Sequence, residues 1–389
     1  MAEFLPVLLI LFTFAALLAG YPVALTLGGA SLMFAFLGMA IGAFNPNDFG
    51  FLPGRLFGIV TNQTLIAVPL FIFAGTSILR GGAAKRLVHF ATTLVGHWPG
   101  GLGVAMVIAM GFFAAFCGSI LAAITAVGTI MMPKMIEQGY PTPFVVVLAA
   151  SAALLEALIP PSNAAILFSA LTYVPVSKTF AAGVIPGIIL LILMVLLVLF
   201  KCRHIRADKK ATFKERLSSF IAALPALITP VIILGGIYAG FLTPSESAAI
   251  AGVYAVTIGF LIYRELTFSS LLSCLRDTAI ITAVIFSIIA TATFLSVVLT
   301  YTQAPQKIIT YFTDMGVSVN LFWIMLGTIC LILGTFIEIV PVFYLTVPIF
   351  AALTLSFDQS LLHLYVAVSY THLRAHETSL HLVCRLLLE

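Results

Sequence analysis

Ile159-Pro160-Pro161-Ser162-Asn163 places two prolines and two short polar side chains in a stretch that is otherwise apolar. Proline has no N–H, so a helix reaching this point loses main-chain hydrogen bonds and leaves carbonyl oxygens without donors. Uncharged carbonyl, hydroxyl and amide oxygens are the ligands a hard cation such as sodium takes. Cys117-Gly118-Ser119 offers the same chemistry, so Gly118, Ser119, Ser162 and Asn163 are the candidate sodium ligands. A half-helix starting after Pro161 would turn its positive end toward an anionic solute. Ser119, Pro160, Pro161, Ser162 and Asn163 are therefore the candidate substrate-lining residues. The competing reading is that Ser162 or Asn163 simply caps the half-helix, and the two roles can coexist.

Three carboxylates lie in apolar surroundings: Glu156, Glu246 and Glu338. Charge inside a membrane costs on the order of 3 kcal/mol on insertion scales and marks either a pathway or a paired core group. Glu156 stands one turn before Pro160, and Glu338 follows a glycine break at Gly334. Glu246 belongs to a third interruption, Thr243-Pro244-Ser245-Glu246, read as broken helix like the other two. Glu156, Glu246, Glu338 and Pro244 are the candidates for gating or coupling, with a structural helix cap as the alternative for Glu246.

The elements that hold these residues must be membrane helices. Hydrophobic residues make up 62% of the 389-residue chain and charged residues only 8%, against about 25% charged in a soluble domain. Apolar blocks lie near 4–19, 23–41, 101–116, 141–158, 179–200, 220–240, 246–263, 278–300 and 319–337. Each approaches the roughly 20 residues a helix needs to cross a bilayer. The expected fold is all-α and polytopic. The first block has no basic region before it and reads as a retained span, not a cleaved signal. Seven of the 18 basic residues fall between Lys201 and Arg216, which makes that loop cytoplasmic by the positive-inside rule. The run has no aromatic platform beside it, so no nucleic-acid partner is expected; the partner here is the lipid bilayer. Lys85-Arg86-Leu87-Val88-His89-Phe90 opens an amphipathic segment suited to the membrane surface.

Enzyme chemistry is not expected. Asp48, Asp208, Asp277, Asp314 and Asp358 fall in loops or at span ends, so no intramembrane aspartate pair is available. No GxxxxGKS motif occurs, which argues against ATP-driven transport by this chain. The five cysteines are scattered without metal-site spacing, and no cofactor is expected beyond sodium as coupling ion. Broken helices at membrane depth are tolerated only where protein buries them or where they line a cavity, and in secondary carriers they hold solute and ion.

The basic loop separates halves with matching punctuation. Gly20-Tyr21-Pro22 and Gly240-Phe241-Leu242-Thr243-Pro244 each follow a span, and Pro133 and Pro348 each close an apolar run that starts at a glycine break. Such matched interruptions point to inverted repeats with the site between them. The expected organisation is a first repeat over 1–200, a basic cytoplasmic linker over 201–219 and a second repeat over 220–367. A partner for Pro160-Pro161 should fall near 375–383, where no proline occurs; four of the seven histidines lie in the last 27 residues. The stretch 368–389 is therefore expected to be a non-native tail, with the second repeat cut short within or after its own hairpin.

Eight motifs in order resemble the large membrane subunit of the tripartite ATP-independent periplasmic (TRAP) transporters, the DctM-like family. They are Gly20-Tyr21-Pro22-Val23-Ala24; Val68-Pro69-Leu70-Phe71-Ile72-Phe73-Ala74-Gly75; Gly118-Ser119 with Ala126-Val127-Gly128-Thr129-Ile130-Met131-Met132-Pro133; Gly139-Tyr140; Ile159-Pro160-Pro161-Ser162; Ala182-Gly183-Val184-Ile185-Pro186-Gly187; Gly235-Gly236-Ile237-Tyr238-Ala239-Gly240; and Thr243-Pro244-Ser245-Glu246. The resemblance covers about 4–367 and implies two re-entrant helical hairpins, each facing an unwound helix, in an elevator-type carrier of the ion transporter superfamily kind. Hairpin one would occupy 118–133 and hairpin two would begin after Glu338. The chain departs from the family at Glu156, where glycine is common. The resemblance further implies a bacterial inner-membrane protein that works with a small four-helix membrane subunit and a periplasmic solute-binding protein. Its substrate would be a small organic acid such as a C4-dicarboxylate. A stand-alone ion-coupled organic-anion carrier is the alternative.

Overall fold

In the computed structural model, residues 5–117, 123–205, 210–335 and 339–369 are described. They are overwhelmingly helical, with no strand among them. Gly118, Ser119 and Glu338 lie outside the described residues, as do Arg206, Asp208 and Lys209 and the stretch 370–389. The position at 375–383 where a second proline pair is expected falls in that last stretch.

Six of the described helices are long and apolar enough to cross a membrane: Val23–Ala40, Gln63–Arg80, Val176–Lys201, Phe213–Tyr238, Pro244–Ile262 and Phe268–Tyr301. The Val176–Lys201 helix shows why lipid must surround it. Ile185, Ile189, Leu193, Leu196 and Phe200 recur at helical spacing and all stand more than half exposed. In water such a stripe would be an aggregation site, whereas in a bilayer it meets its solvent. The Gln63–Arg80 span is absent from the apolar blocks of the sequence; its helix runs through Pro69. The basic linker is shorter than expected. Helix resumes at Phe213, inside 201–219, because Thr212 and Glu215 form a reciprocal capping box.

The described residues fall into two compact units. The first comprises the helices up to residue 65, the stretch 167–174 and the chain from 280 onward. Here Leu5–Leu18 packs on Val23–Ala40, and Ile339–Ser356 packs on both Ala304–Asp314 and Val319–Gly334. Phe168 sits fully buried against Phe343 and Tyr365, with ring centroids 6.0 and 5.4 Å away. Residues 361–369 are helical, so helix continues through Val368 and Ser369 across the expected boundary at 367.

The second unit comprises 66–166 and 175–279, and Gly101–Cys117 is its hub. That helix packs against Ala83–Val95, Thr142–Ala153, Val176–Lys201 and the short Leu154–Ala157 turn. Val104, Ala105, Met106, Val107, Ala109, Met110 and Phe113 are wholly buried, so it is apolar on every face and enclosed by protein. Gly103 and Gly111 give its close approach to Val176–Lys201. A Cβ on Gly103 would come within 2.8 Å of Val198, and one on Gly111 within 2.7 Å of Leu191. Small residues at such crossings let membrane helices draw their backbones together.

The predicted amphipathic segment is the Ala83–Val95 helix. Leu87, Val88, Phe90 and Ala91 are buried while Lys85 and His89 are exposed. Arg86 donates from one guanidinium nitrogen to the Gly82 carbonyl and to Glu265, each at 2.7 Å, and stacks 4.1 Å from the Tyr263 ring centroid. Arg80 pairs with Asp277 nearby. These contacts clasp the turns at 81–82 and 263–267 together on the side of the basic loop.

Candidate functional site

The chain rises through Thr142–Ala153, tightens into a 3-10 turn over Leu154–Ala157, breaks at 158–162 and starts again as Asn163–Thr172. The peptide bond between Pro160 and Pro161 is cis. Because residues 160 and 161 have no N–H, the carbonyls of Glu156 and Ala157 have no helical donor four residues ahead. Ser162 supplies one substitute: its hydroxyl donates to the Ala157 carbonyl at 2.9 Å. The same Oγ accepts from the Ala165 N–H at 3.4 Å, so Ser162 caps the second half-helix, as the capping alternative has it. Ser162, Pro160 and Pro161 are buried and Asn163 is half-buried. With one bond given and one received, Ser162 Oγ keeps one lone pair for a ligand.

The depth of this break can be measured against the long helix beside it. A Cβ on Gly187 would lie 2.9 Å from Ile159 and 3.4 Å from Leu158, so Val176–Lys201 meets the broken segment at Gly187. Gly187 is eleven residues from Val176 and fourteen from Lys201, about 16 and 21 Å along the axis at 1.5 Å per residue. The Gly103–Val198 and Gly111–Leu191 contacts run antiparallel along the same helix and calibrate the scale. The break therefore stands near half-depth of a membrane-spanning helix. Sequence reasoning located the break and its residues but not Gly187, whose spacing to Ile159 carries no local signal.

Glu156 is 5% exposed, and its Oε2 has no hydrogen-bond partner. The hub helix, Thr142–Ala153 and Val176–Lys201 all pack on its turn. Gly118 and Ser119, expected to complete the site from the hairpin, lie outside the described residues, and so does Glu338. On the described return side, a π-helical turn over Ile124–Gly128 leads into Thr129–Glu137, and Tyr140 closes back onto the hub, its hydroxyl accepting from Gly103 N–H at 3.3 Å.

Pro244 and Glu246 are placed elsewhere. Thr243-Pro244-Ser245-Glu246 is not broken helix at membrane depth but the start of the Pro244–Ile262 span, joined to Phe213–Tyr238 by a short turn. Glu246 is exposed and accepts from the Thr243 N–H at 2.8 Å and its hydroxyl at 2.7 Å, while Thr243 Oγ1 accepts from Glu246 N–H. Proline is favoured in the first turn, and Thr-x-x-Glu is a capping box, so local chemistry explains the motif without a membrane break. On the basic-loop side, His97 has its titration lowered from the ordinary 6.5, first by burial and then by Arg216 and Lys210. Burial likewise raises the Cys202 thiol beside Gly100.

A family model described as "Tripartite ATP-independent periplasmic transporter, DctM component" matches residues 9–373. That match runs six residues past the expected end of the resemblance at 367. The C4-dicarboxylate TRAP transporter large permease protein DctM of Pseudomonas aeruginosa is 38% identical over 291 residues, 74% of this chain and 68% of the relative. A protein of the same description from Rhodobacter capsulatus is 33% identical, covering 82% and 74%. The ectoine TRAP transporter large permease protein TeaC of Halomonas elongata is 33% identical, covering 75% and 68%.

Proposed function

The chain belongs to the tripartite ATP-independent periplasmic transporter family, DctM component, and from that premise we propose that it imports a small carboxylated solute driven by a sodium gradient. It is a multi-pass large permease of the inner membrane and not an enzyme. In our reading a periplasmic binding protein delivers the solute and a small membrane subunit completes the permease. The solute carboxylate is received by the N-terminus of Asn163–Thr172, and Pro160, Pro161, Ser162 and Asn163 line the path together with Ser119. Sodium takes oxygens from Gly118, Ser119, Ser162 and Asn163, and the hairpin-bearing part moves as an elevator.

One observation carries this reading: a helix interrupted near half-depth, with a buried serine hydroxyl at the start of the second half. Main chain in that condition is tolerated where protein buries it or where it lines a cavity, and in secondary carriers it holds solute or ion. A C4-dicarboxylate is the first solute to try because two similar relatives are described as C4-dicarboxylate permeases. The ectoine relative makes a carboxylated zwitterion the next.

The test reconstitutes permease, small subunit and binding protein in proteoliposomes and follows radiolabelled succinate, then ectoine. Uptake should need an inward sodium gradient and the binding protein. Ser162→Ala removes one oxygen ligand, about 1.4 kcal/mol or tenfold in the sodium concentration for half-maximal uptake. Uptake indifferent to sodium would overturn the coupling, and an unchanged sodium dependence in the variant would overturn Ser162 as a sodium ligand; uptake without binding protein would favour the stand-alone carrier.

A further inference from the structure

Among the carboxylates whose burial is described, Glu156 alone is buried. It sits on the turn Leu154–Ala157, immediately ahead of the half-depth break, with Oε2 lacking any hydrogen-bond partner. None of the ion pairs among the described residues includes it. Charged or titratable groups on the elements packed against its turn are few. The hub helix carries Cys117 at its last position, Thr142–Ala153 carries none, and Val176–Lys201 carries Lys178 and Lys201. Both lysines are exposed. They stand nine and fourteen residues from Gly187, about 13 and 21 Å along the axis, so neither reaches the break.

An anionic carboxylate at this depth needs donors or a cation, and an unpaired one is expensive even on the mildest scale. The neutral acid needs neither. Carboxyl groups inside membrane carriers mark ion pathways and proton relays, among other roles. We infer that Glu156 is a proton-binding site of the transport cycle, so that a proton accompanies the sodium-driven solute. The acid forms by taking a proton from periplasmic water while 158–162 is hydrated from that side. It stays neutral while the site is closed, and it returns the proton to cytoplasmic water on opening there. The inference rests on reading the break as the transport site.

The test uses the same three-component proteoliposomes with pyranine inside and radiolabelled succinate outside. With wild type, the lumen should acidify in step with succinate entry, above a sodium-gradient control without succinate. Per succinate taken up, Glu156→Gln should give no acidification above that control. Equal acidification in the variant overturns the inference. So does sodium-driven uptake without acidification in wild type, and that result leaves the sodium reading standing. A wild type that takes up no succinate fails the transport reading instead, and infrared spectroscopy of the purified permease in lipid then decides the inference. A protonated-carboxyl band at neutral pH that vanishes in E156Q and shifts in Glu156→Asp supports the assignment; spectra unchanged in both variants overturn it. That readout needs folded protein but no transport.

Discussion

Gly187→Ala tests the depth scale on which the site rests. The new Cβ would stand 2.9 Å from Ile159 Cγ1, 3.4 Å from Leu158 Cβ and 3.5 Å from the Ile159 nitrogen. Ordinary carbon contacts lie at about 3.5–4.0 Å, so Ile159 or the helix must retreat by roughly half an ångström or more. Overpacking of this size costs about 1–3 kcal/mol, and the atoms that yield belong to the broken segment itself. The expected result is lower thermal stability in detergent together with weaker solute uptake. Gly235→Ala is the control, because its Cβ meets nothing within 4 Å; at an exposed helical position it should be neutral or gain up to about 1 kcal/mol. Ile159→Ala removes the clashing atom, so the pair should show a favourable coupling of about 1 kcal/mol or more in a double-mutant cycle. Strict additivity, or a Gly187→Ala protein as stable as Gly235→Ala, would show that the long helix does not touch the break where the depth argument needs it.

Arg86→Lys keeps the charge but loses the planar stack on Tyr263 and the guanidinium nitrogen shared by Gly82 and Glu265, so thermal stability should drop by about 1 kcal/mol; a lysine variant as stable as wild type refutes the clasp. Thr243→Ala should cost about 1 kcal/mol as a lost helix cap, whereas Glu246→Gln preserves the reciprocal bonds and should melt close to wild type. A large loss in Glu246→Gln would mean its charge, not its capping geometry, matters. His97 titrates below its unfolded value of 6.5, so between those two pKa values the unfolded chain binds the extra proton. Its contribution is fully present above about pH 6.5 and is lost as pH falls toward the folded value. His97→Gln should flatten that part of the stability profile, and a profile unchanged by the substitution would count against it.

The break was legible because paired prolines in an apolar run admit few meanings: neither can donate, so the helix must stop. Its depth was not legible. That depends on Gly187 meeting Ile159, a contact between residues 28 apart that only the folded path reveals. Thr243-Pro244-Ser245-Glu246 misled because the same four residues describe a broken helix and a well-capped helix start, and position relative to the span ends decides between them. Gln63–Arg80 was passed over although its helix accommodates Pro69 as Val176–Lys201 accommodates Pro186. Lys85-Arg86 announced an amphipathic surface helix, but Tyr263 and Glu265, which hold it, lie almost 180 residues later.

Left-handed backbone recurs along the chain at a nearly constant spacing, the one the expected repeat would give. Left-handed residues at Gly20, Gly82, Gly100 and Gly139 have counterparts at Gly240, Gln303, Gly316 and Asp358. The separations are 220, 221, 216 and 219 residues, and each pair occupies the same place in the order of helices. Gly82 precedes Ala83–Val95 and Gln303 precedes Ala304–Asp314, both short helices with strongly one-sided apolar faces. A glycine takes this conformation without penalty, whereas a residue with a Cβ gives up roughly 1–3 kcal/mol. Gln303 and Asp358 adopt it regardless, so the turn is imposed by where the next helix must go and not by what the local residue prefers. For the same reason the spacing of such turns can recur where the residue identities do not.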